Sequence, residues 1–327
     1  MLFFIKSPMA TKAKLLSLTA ASRMSTARAG AADWVILSLP GMIWGASYLF
    51  IADALGAIGP GGVTFVRLVI GFLTLSLFPS ARKSVLRSDW PKIVALGVFW
   101  MAFPLSMFPF AERHVSSALT GMLNGANPLF AAAVAAMIAW KLPSRRVIAG
   151  IVIGMVGTVV MGLPTLGEGH STVAGVGMIL AALVSYGVAL NLASPLQQRS
   201  GALPVVLRAQ LVALVLVAPI GFKDVLHVKW APGPLAALLA LGVLSTGIAF
   251  AIMSVSAGRF GAARASSTAF LIPTEALVLG VVFRGEHVAL VSVLGGAICV
   301  VGALIMRGER RSKKSTEVLA SSPAPQT

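Results

Sequence analysis

Residues 118–161 of this 327-residue chain read ALTGMLNGANPLFAAAVAAMIAWKLPSRRVIAGIVIGMVGTVVM, and residues 263–306 read ARASSTAFLIPTEALVLGVVFRGEHVALVSVLGGAICVVGALIM. A shift of 145 residues aligns the two stretches without a gap. The identical residues include Pro128 with Pro273, Gly150 with Gly295, Gly157 with Gly302, and Met161 with Met306. A proline inside an apolar helix needs compensation by packing or water, and small residues allow close helix contact. Their shared spacing therefore indicates an internal repeat.

The composition indicates the environment of this repeat. Hydrophobic residues make up 57% of the chain and charged residues only 11%, against roughly 25% charged residues in an ordinary soluble domain. A soluble protein of this composition could not cover its surface with polar groups, and a disordered chain would have far less apolar surface. We therefore expect an all-α polytopic membrane protein.

The chain contains ten apolar stretches, each close to the roughly 20 residues that cross a bilayer as a helix. They are residues 34–52, 61–79, 92–110, 115–139, 146–163, 173–193, 204–221, 234–254, 262–283 and 288–306. Five fall in each copy of the repeat, which places the copies at 34–163 and 173–306. Because five is odd, the second copy enters the membrane from the opposite side. This inverted repeat is a plan common among secondary transporters, which bind their substrates near the midplane.

The formal net charge of +16 is interpreted as a topology signal and not as a nucleic-acid surface, because the basic residues are scattered between apolar stretches. With both termini inside, nineteen basic residues lie on the cytoplasmic side and four outside. This ratio predicts cytoplasmic termini in a plasma membrane. The basic segment 1–33 is a cytoplasmic tail, a targeting segment or an untranslated start, and 307–327 is predicted to be a basic and then polar, disordered tail.

The order of several motifs resembles the EamA-type branch of the drug/metabolite transporter superfamily. The resemblance covers about residues 34–307 and rests on Trp44-Gly45 in the first span, on Arg67 after Pro60, and on Pro273, Gly285-Glu286, Gly295 and Gly302. It implies ten helices, an inverted repeat and export or exchange of small metabolites. Lys141 stands where this family usually has Glu in the first half, and Glu275 is not part of the family pattern.

Two charged residues inside the spans are the first candidates for function. Glu275 is the sole acid in the ten spans, and a carboxylate at the bilayer centre is costly unless it is protonated, paired or hydrated. It is interpreted as a proton-coupling or substrate-amine site, with a structural carboxyl as the alternative. Arg67 is the deepest cation and is always charged. It binds a substrate carboxylate, or it snorkels or locks to Glu275.

Uncharged polar and aromatic side chains supply further candidates for a central cavity. Trp44, Tyr48 and Tyr186 are expected to line it, with packing as the alternative. Asn124 and Asn127 lie one turn apart and should face protein or a cavity, because amides are costly in lipid. Gln210 is a weaker candidate of the same kind.

These features predict a secondary active transporter, an exporter of amino acids or related organic solutes that works by alternating access with proton coupling. Its partners would be a small-molecule substrate, the lipid bilayer and protons, and it would act as a monomer or homodimer. No cofactor or metal is expected, because Cys299 is the only cysteine and the four histidines are isolated. The alternatives are an intramembrane enzyme, for which no catalytic motif is found, and a non-transporting sensor or scaffold.

Overall fold

The computed structural model describes residues 31–140, 142–164, 170–260 and 266–320, and all regular secondary structure in these ranges is helical. The predicted all-helical architecture is confirmed for this part of the chain. The helices in chain order are α1 Ala31–Ala54, α2 Pro60–Ser76, α3 Arg87–Ala111, α4 Ser117–Asn124, α5 Asn127–Ala139, α6 Arg145–Gly162, α7 His170–Ser200, α8 Ala202–Val225, α9 (the consecutive segments Pro232–Leu239, Ala240–Ile248 and Ala249–Phe260), α10 Ile272–Arg284 and α11 Leu290–Ala320.

Six of the described helices are long and apolar enough to cross a membrane, and the bent pair α4–α5 would make a seventh span. The segments Pro60–Ser76 and Leu290–Met306 are apolar but shorter. Large apolar side chains are exposed on the outer helix faces, for example Leu73, Val152 and Val159, as expected of a protein whose solvent is lipid. The count of ten spans stays a prediction.

Two helices contain a π-helical segment. In α3 it covers Gly97–Ala102, and in α9 it covers Ala240–Ile248. A shift of 145 residues places the first segment inside the second. Such segments redirect side chains and are frequent at functional sites. The segment in α9 packs against α2, and the segment in α3 packs against α8.

The two repeat prolines lie just after breaks in the helices. Pro128 is the second residue of α5, which is bent by 40° from α4. Pro273 is the second residue of α10, which follows the 3₁₀ turn Ser266–Phe270. A proline is tolerated in the first helical turn, where its missing N–H would have no partner. The predicted continuous span 262–283 is therefore wrong as one helix, since α10 begins only at Ile272.

The repeat glycines form a close contact between helix backbones, where α6 crosses α11. A methyl group added to Gly157 would lie 2.5 Å from the Cys299 nitrogen and 2.7 Å from the Gly295 carbonyl oxygen. A methyl group on Gly302 would lie 2.6 Å from the Gly150 carbonyl oxygen. The contacts are reciprocal, because Gly150 touches Met306 while its repeat equivalent Gly295 touches Met161. Only glycine allows backbones to approach this closely.

The ends of α5 and α10 also correspond. Trp140 and Gly285 both adopt left-handed backbone conformations, with φ of 48° and 62°, and they too are 145 residues apart. Lys141, the next residue, lies outside the described residues, as does most of the predicted 1–33 tail. The final helix α11 continues to Ala320, through most of the stretch predicted to be a disordered tail.

Candidate functional site in a buried polar centre

Arg67 is the buried cation at the centre of the molecule. It lies on α2 and is only 4% exposed. Its Nε donates a hydrogen bond to Thr246 Oγ1 at 3.2 Å. No carboxylate of the described residues lies within 4 Å of its guanidinium nitrogens. The predicted lock to Glu275 is therefore not formed, and the charge has only a neutral partner.

The π segment of α9 supplies the polar groups around Arg67. The Thr246 hydroxyl donates to the Leu241 carbonyl at 2.9 Å, five residues back along the chain. Gln210, fully buried on α8, donates through Nε2 to the Thr246 carbonyl at 2.7 Å. Its Oε1 is buried and accepts no hydrogen bond. Gln210 and Thr246 thus fix the wall against which Arg67 lies.

Trp44 lies on α1 beside the same segment. Its indole Nε1 donates to the Ser245 carbonyl at 3.1 Å, and Ser47 donates to the Ser245 hydroxyl at 2.9 Å. The Trp44 ring packs edge-on against Phe250 with 5.4 Å between centroids. Because its only polar group is taken by the backbone, Trp44 positions the α9 segment and offers only its apolar ring to a ligand.

Tyr48 and Tyr186 face each other across Phe108. The centroids of Tyr48 and Phe108 are 5.6 Å apart, and those of Phe108 and Tyr186 are 6.0 Å apart. Both tyrosines lie close enough to Arg67 to interact electrostatically with it. The structure therefore brings together the tyrosines of α1 and α7 and the arginine of α2, as the cavity hypothesis requires.

Asn124 and Asn127 lie at the bend between α4 and α5. Each has a buried Oδ1 with no hydrogen-bond partner. The Asn124 side chain also neighbours the Tyr48 hydroxyl. Buried amide oxygens are normally paired, and an unpaired one costs about 1–3 kcal/mol. Among the described residues these two oxygens have no donor, and they are available to accept hydrogen bonds from a ligand.

Glu275 packs against α1 at Gly45, next to Trp44. It belongs to the first turn of α10, is half-buried, and its Cβ lies 2.5 Å from the position that a Cβ on Gly45 would take. A carboxylate is favoured at a helix N-terminus. Glu275 therefore sits at a helix start and not, as predicted, in the middle of a continuous span.

Glu112 is a buried carboxyl that the sequence analysis missed. It directly follows α3, and both of its oxygens are buried without a hydrogen-bond partner. Burial raises the pKa of the Glu112 carboxyl well above its ordinary value, and the nearby Glu286 carboxylate raises it further. The only sequence signal was an acidic residue adjoining the predicted span 92–110, and its neighbours Arg113 and His114 suggested an exposed loop.

Glu286, by contrast, has a full set of partners. Its carboxylate accepts hydrogen bonds from the Ser117 nitrogen at 3.1 Å, the Ser117 hydroxyl at 2.7 Å and the Ala118 nitrogen at 2.8 Å. It therefore caps the start of α4. It also pairs with Arg284 Nε at 3.4 Å. Arg284 pairs in addition with Asp53.

Comparison with known families identifies the scaffold that carries this centre. The model of the EamA-like transporter family matches residues 34–163 and 173–308. The chain belongs to this EamA-like transporter family. The bounds of the two matched segments are close to those of the two predicted copies, 34–163 and 173–306. This EamA-like protein is thus an integral membrane protein of a transporter family.

Individual relatives agree with the family assignment. The EamA-like chain is 26% identical over 293 residues to a "Probable terminal-alkyne amino-acid exporter" of Streptantibioticus cattleyicolor, covering 87% of this chain and 97% of the relative. It is 20% identical over 277 residues to an uncharacterized transporter of Archaeoglobus fulgidus, covering 85% and 99%. The crystal structure of another protein superimposes with a TM-score of 0.57 at 20% identity, over 85% of this chain and 96% of that protein. The last similarity concerns the fold alone.

Proposed function

We propose that this protein is a secondary active exporter of amino acids or closely related zwitterionic solutes. These solutes bind at the Arg67 centre, which is formed by Arg67, Tyr48, Tyr186, Asn124 and Asn127. One observation carries the proposal: Arg67 is a buried cation without a carboxylate partner among the described residues. A planar guanidinium suits bidentate binding of a carboxylate. The relative named as an amino-acid exporter supports this substrate class.

Each residue of the centre has a distinct role in this proposal. Arg67 binds the substrate carboxylate, while the Tyr48 and Tyr186 rings contact its apolar part. The unpaired amide oxygens of Asn124 and Asn127 accept hydrogen bonds from its polar hydrogens. Gln210 and Trp44 are positioning residues, since both bond to the backbone of the α9 segment.

The transport cycle would be alternating access by two inverted five-span repeats, 34–163 and 173–306, with ten spans in all. The reciprocal glycine contacts of α6 and α11, the matching π segments and the matching left-handed helix ends support this symmetry. Both termini would lie on the cytoplasmic side of a bacterial inner membrane, given the distribution of basic residues.

Counterflow in proteoliposomes tests the proposal. Vesicles loaded with one unlabelled L-amino acid at a time, including a terminal-alkyne amino acid, are diluted into the same labelled compound. We expect label accumulation for at least one member of the panel with the wild-type protein and its loss with Arg67→Gln. Arg208→Gln is the matched control, because within the described part of the chain Arg208 donates only to the Ala81 and Pro204 carbonyls. No accumulation with any member would contradict the proposal and favour a sensor, scaffold or enzyme.

A further inference from the structure

Glu112 is unusual because its carboxyl group is buried and has no hydrogen-bond donor among the described residues. Its two oxygens are both without partners. An ionised carboxylate in that position would lose its hydration without gaining a hydrogen bond in return, which is unfavourable. A neutral carboxylic acid avoids most of this cost. A cation brought to the site would avoid it as well.

The charges around Glu112 do not supply such a cation. Arg284 is already paired with both Asp53 and Glu286, so it is shared among three carboxyl groups once Glu112 is included. Arg67 interacts with Glu112 only as a more distant charge. The titratable and charged groups facing Glu112 are Asp53 and Tyr48 on α1, Arg67 on α2, Arg284 and Glu286 at the end of α10, and, across Phe108, Tyr186 on α7.

We infer that Glu112 is the proton-binding site of the transport cycle and that its carboxyl alternately holds a proton and the ammonium group of the substrate. In the substrate-free protein the carboxyl is protonated. When a zwitterionic solute binds with its carboxylate on Arg67, its ammonium group reaches Glu112 and the proton leaves to water. Release of the solute on the far side allows a proton to bind again.

This inference rests on the proposed function and assigns its coupling to Glu112 in place of Glu275. One carboxyl with two mutually exclusive occupants is sufficient for exchange of a proton for a substrate. Glu275 has a helix N-terminus near it, which stabilises a negative charge, whereas Glu112 follows the last residue of α3 and has no such help. The two residues therefore make a matched pair for testing.

Infrared spectroscopy of the purified protein tests the proton site without any substrate. At neutral pH we expect the carbonyl band of a protonated carboxylic acid in the wild type and in Glu275→Gln. We expect that band to be lost in Glu112→Gln. Identical spectra for the wild type and Glu112→Gln would overturn the inference. If Glu112→Gln does not fold, Glu112→Asp should keep the band at a shifted frequency, and an unshifted band would overturn the inference.

Transport with a pH-sensitive dye inside the vesicles tests the exchange. Wild-type vesicles should show a lumenal pH change with the amino acid found by counterflow, and none with the corresponding α-hydroxy acid, which lacks the ammonium group. Glu112→Gln should lose the pH change, while Glu275→Gln should keep it. A pH change retained by Glu112→Gln would overturn the inference while leaving the exporter proposal standing. Absence of wild-type counterflow would contradict the exporter proposal, whatever the infrared spectra show.

Discussion

The Arg67 centre and the crossing of α6 and α11 are opposite solutions to packing in a membrane. At the crossing, glycine backbones touch, and the polar side chains are paired, as Ser292 is with the Met161 carbonyl at 2.8 Å. At the centre, a buried arginine has one neutral hydrogen-bond partner, and two asparagine oxygens have none. The first arrangement maximises dispersion contacts, which hold helices together in lipid. The second leaves interactions unmade in the empty protein, so that a ligand can complete them.

The crossing of α6 and α11 should tolerate larger side chains less well than the Arg67 centre does. Gly157→Val would place a Cβ 2.5 Å from the Cys299 backbone nitrogen, and backbone atoms cannot rotate away. We expect almost no folded protein, measured as monodisperse yield by fluorescence size-exclusion chromatography. Gly177→Val is the control, because a Cβ on Gly177 meets nothing within 4 Å. Equal yields of the two variants would contradict a tight crossing.

Substitution of Arg67 should weaken substrate exchange without lowering the stability of the fold. Arg67→Gln removes a charged hydrogen-bond donor from the substrate carboxylate, worth about 1.5–3 kcal/mol, so exchange affinity should fall roughly tenfold to a hundredfold. The melting temperature should stay equal or rise, since the variant no longer buries a charge without a carboxylate partner. A large drop in melting temperature would show that Arg67 is structural.

Glu112 should make the stability depend on pH. Because burial raises its pKa in the folded protein, the folded state holds a proton that the unfolded state releases above about pH 4. Stability should therefore fall as the pH rises from about 4 through the raised pKa. Melting curves of Glu112→Gln in detergent should lack this decline, and Glu275→Gln should retain it. A Glu112→Gln curve that still declines like the wild type would refute a raised pKa.

Substitutions at the left-handed ends of α5 and α10 should change the free energy of unfolding least. The changes should have opposite signs in the two halves. Trp140 pays a steric cost for its left-handed conformation, whereas Gly285 does not. We expect Trp140→Gly to stabilise and Gly285→Ala to destabilise, each by about 1 kcal/mol. Chemical denaturation in mixed micelles measures both changes. Shifts of the same sign would contradict the correspondence of these ends.

Sequence patterns were sufficient to predict the helices of the scaffold, because the length of an apolar stretch and the spacing of its glycines are local properties. The helices lie close to the predicted stretches, and Gly150, Gly157, Gly295 and Gly302 meet where α6 crosses α11. Pro128 and Pro273 were predicted to lie inside continuous spans, whereas each is the second residue of a helix that follows a break. Tyr48, Tyr186, Arg67 and Asn124 lie close together, and the cavity that they were predicted to line stays a prediction.

The burial of Glu112 and the partners of Arg67 could not be predicted from the sequence. Both depend on which helices pack together, and on a π segment in α9 that presents Thr246 to Arg67. Intrinsic helix propensity does not encode such a segment, because tertiary packing stabilises it. Glu275 attracted attention as the sole acid of a predicted continuous span, and the break before Ile272 places it instead in the first turn of a helix.

The most direct test of the central claim compares an amino acid with its amide in wild-type and Arg67→Gln counterflow. If Arg67 binds the substrate carboxylate, the wild type should exchange leucine, or whichever amino acid the panel identifies, and not the corresponding amide. Arg67→Gln should lose the exchange of the amino acid. Equal exchange of acid and amide by the wild type, or undiminished exchange by Arg67→Gln, would contradict the account.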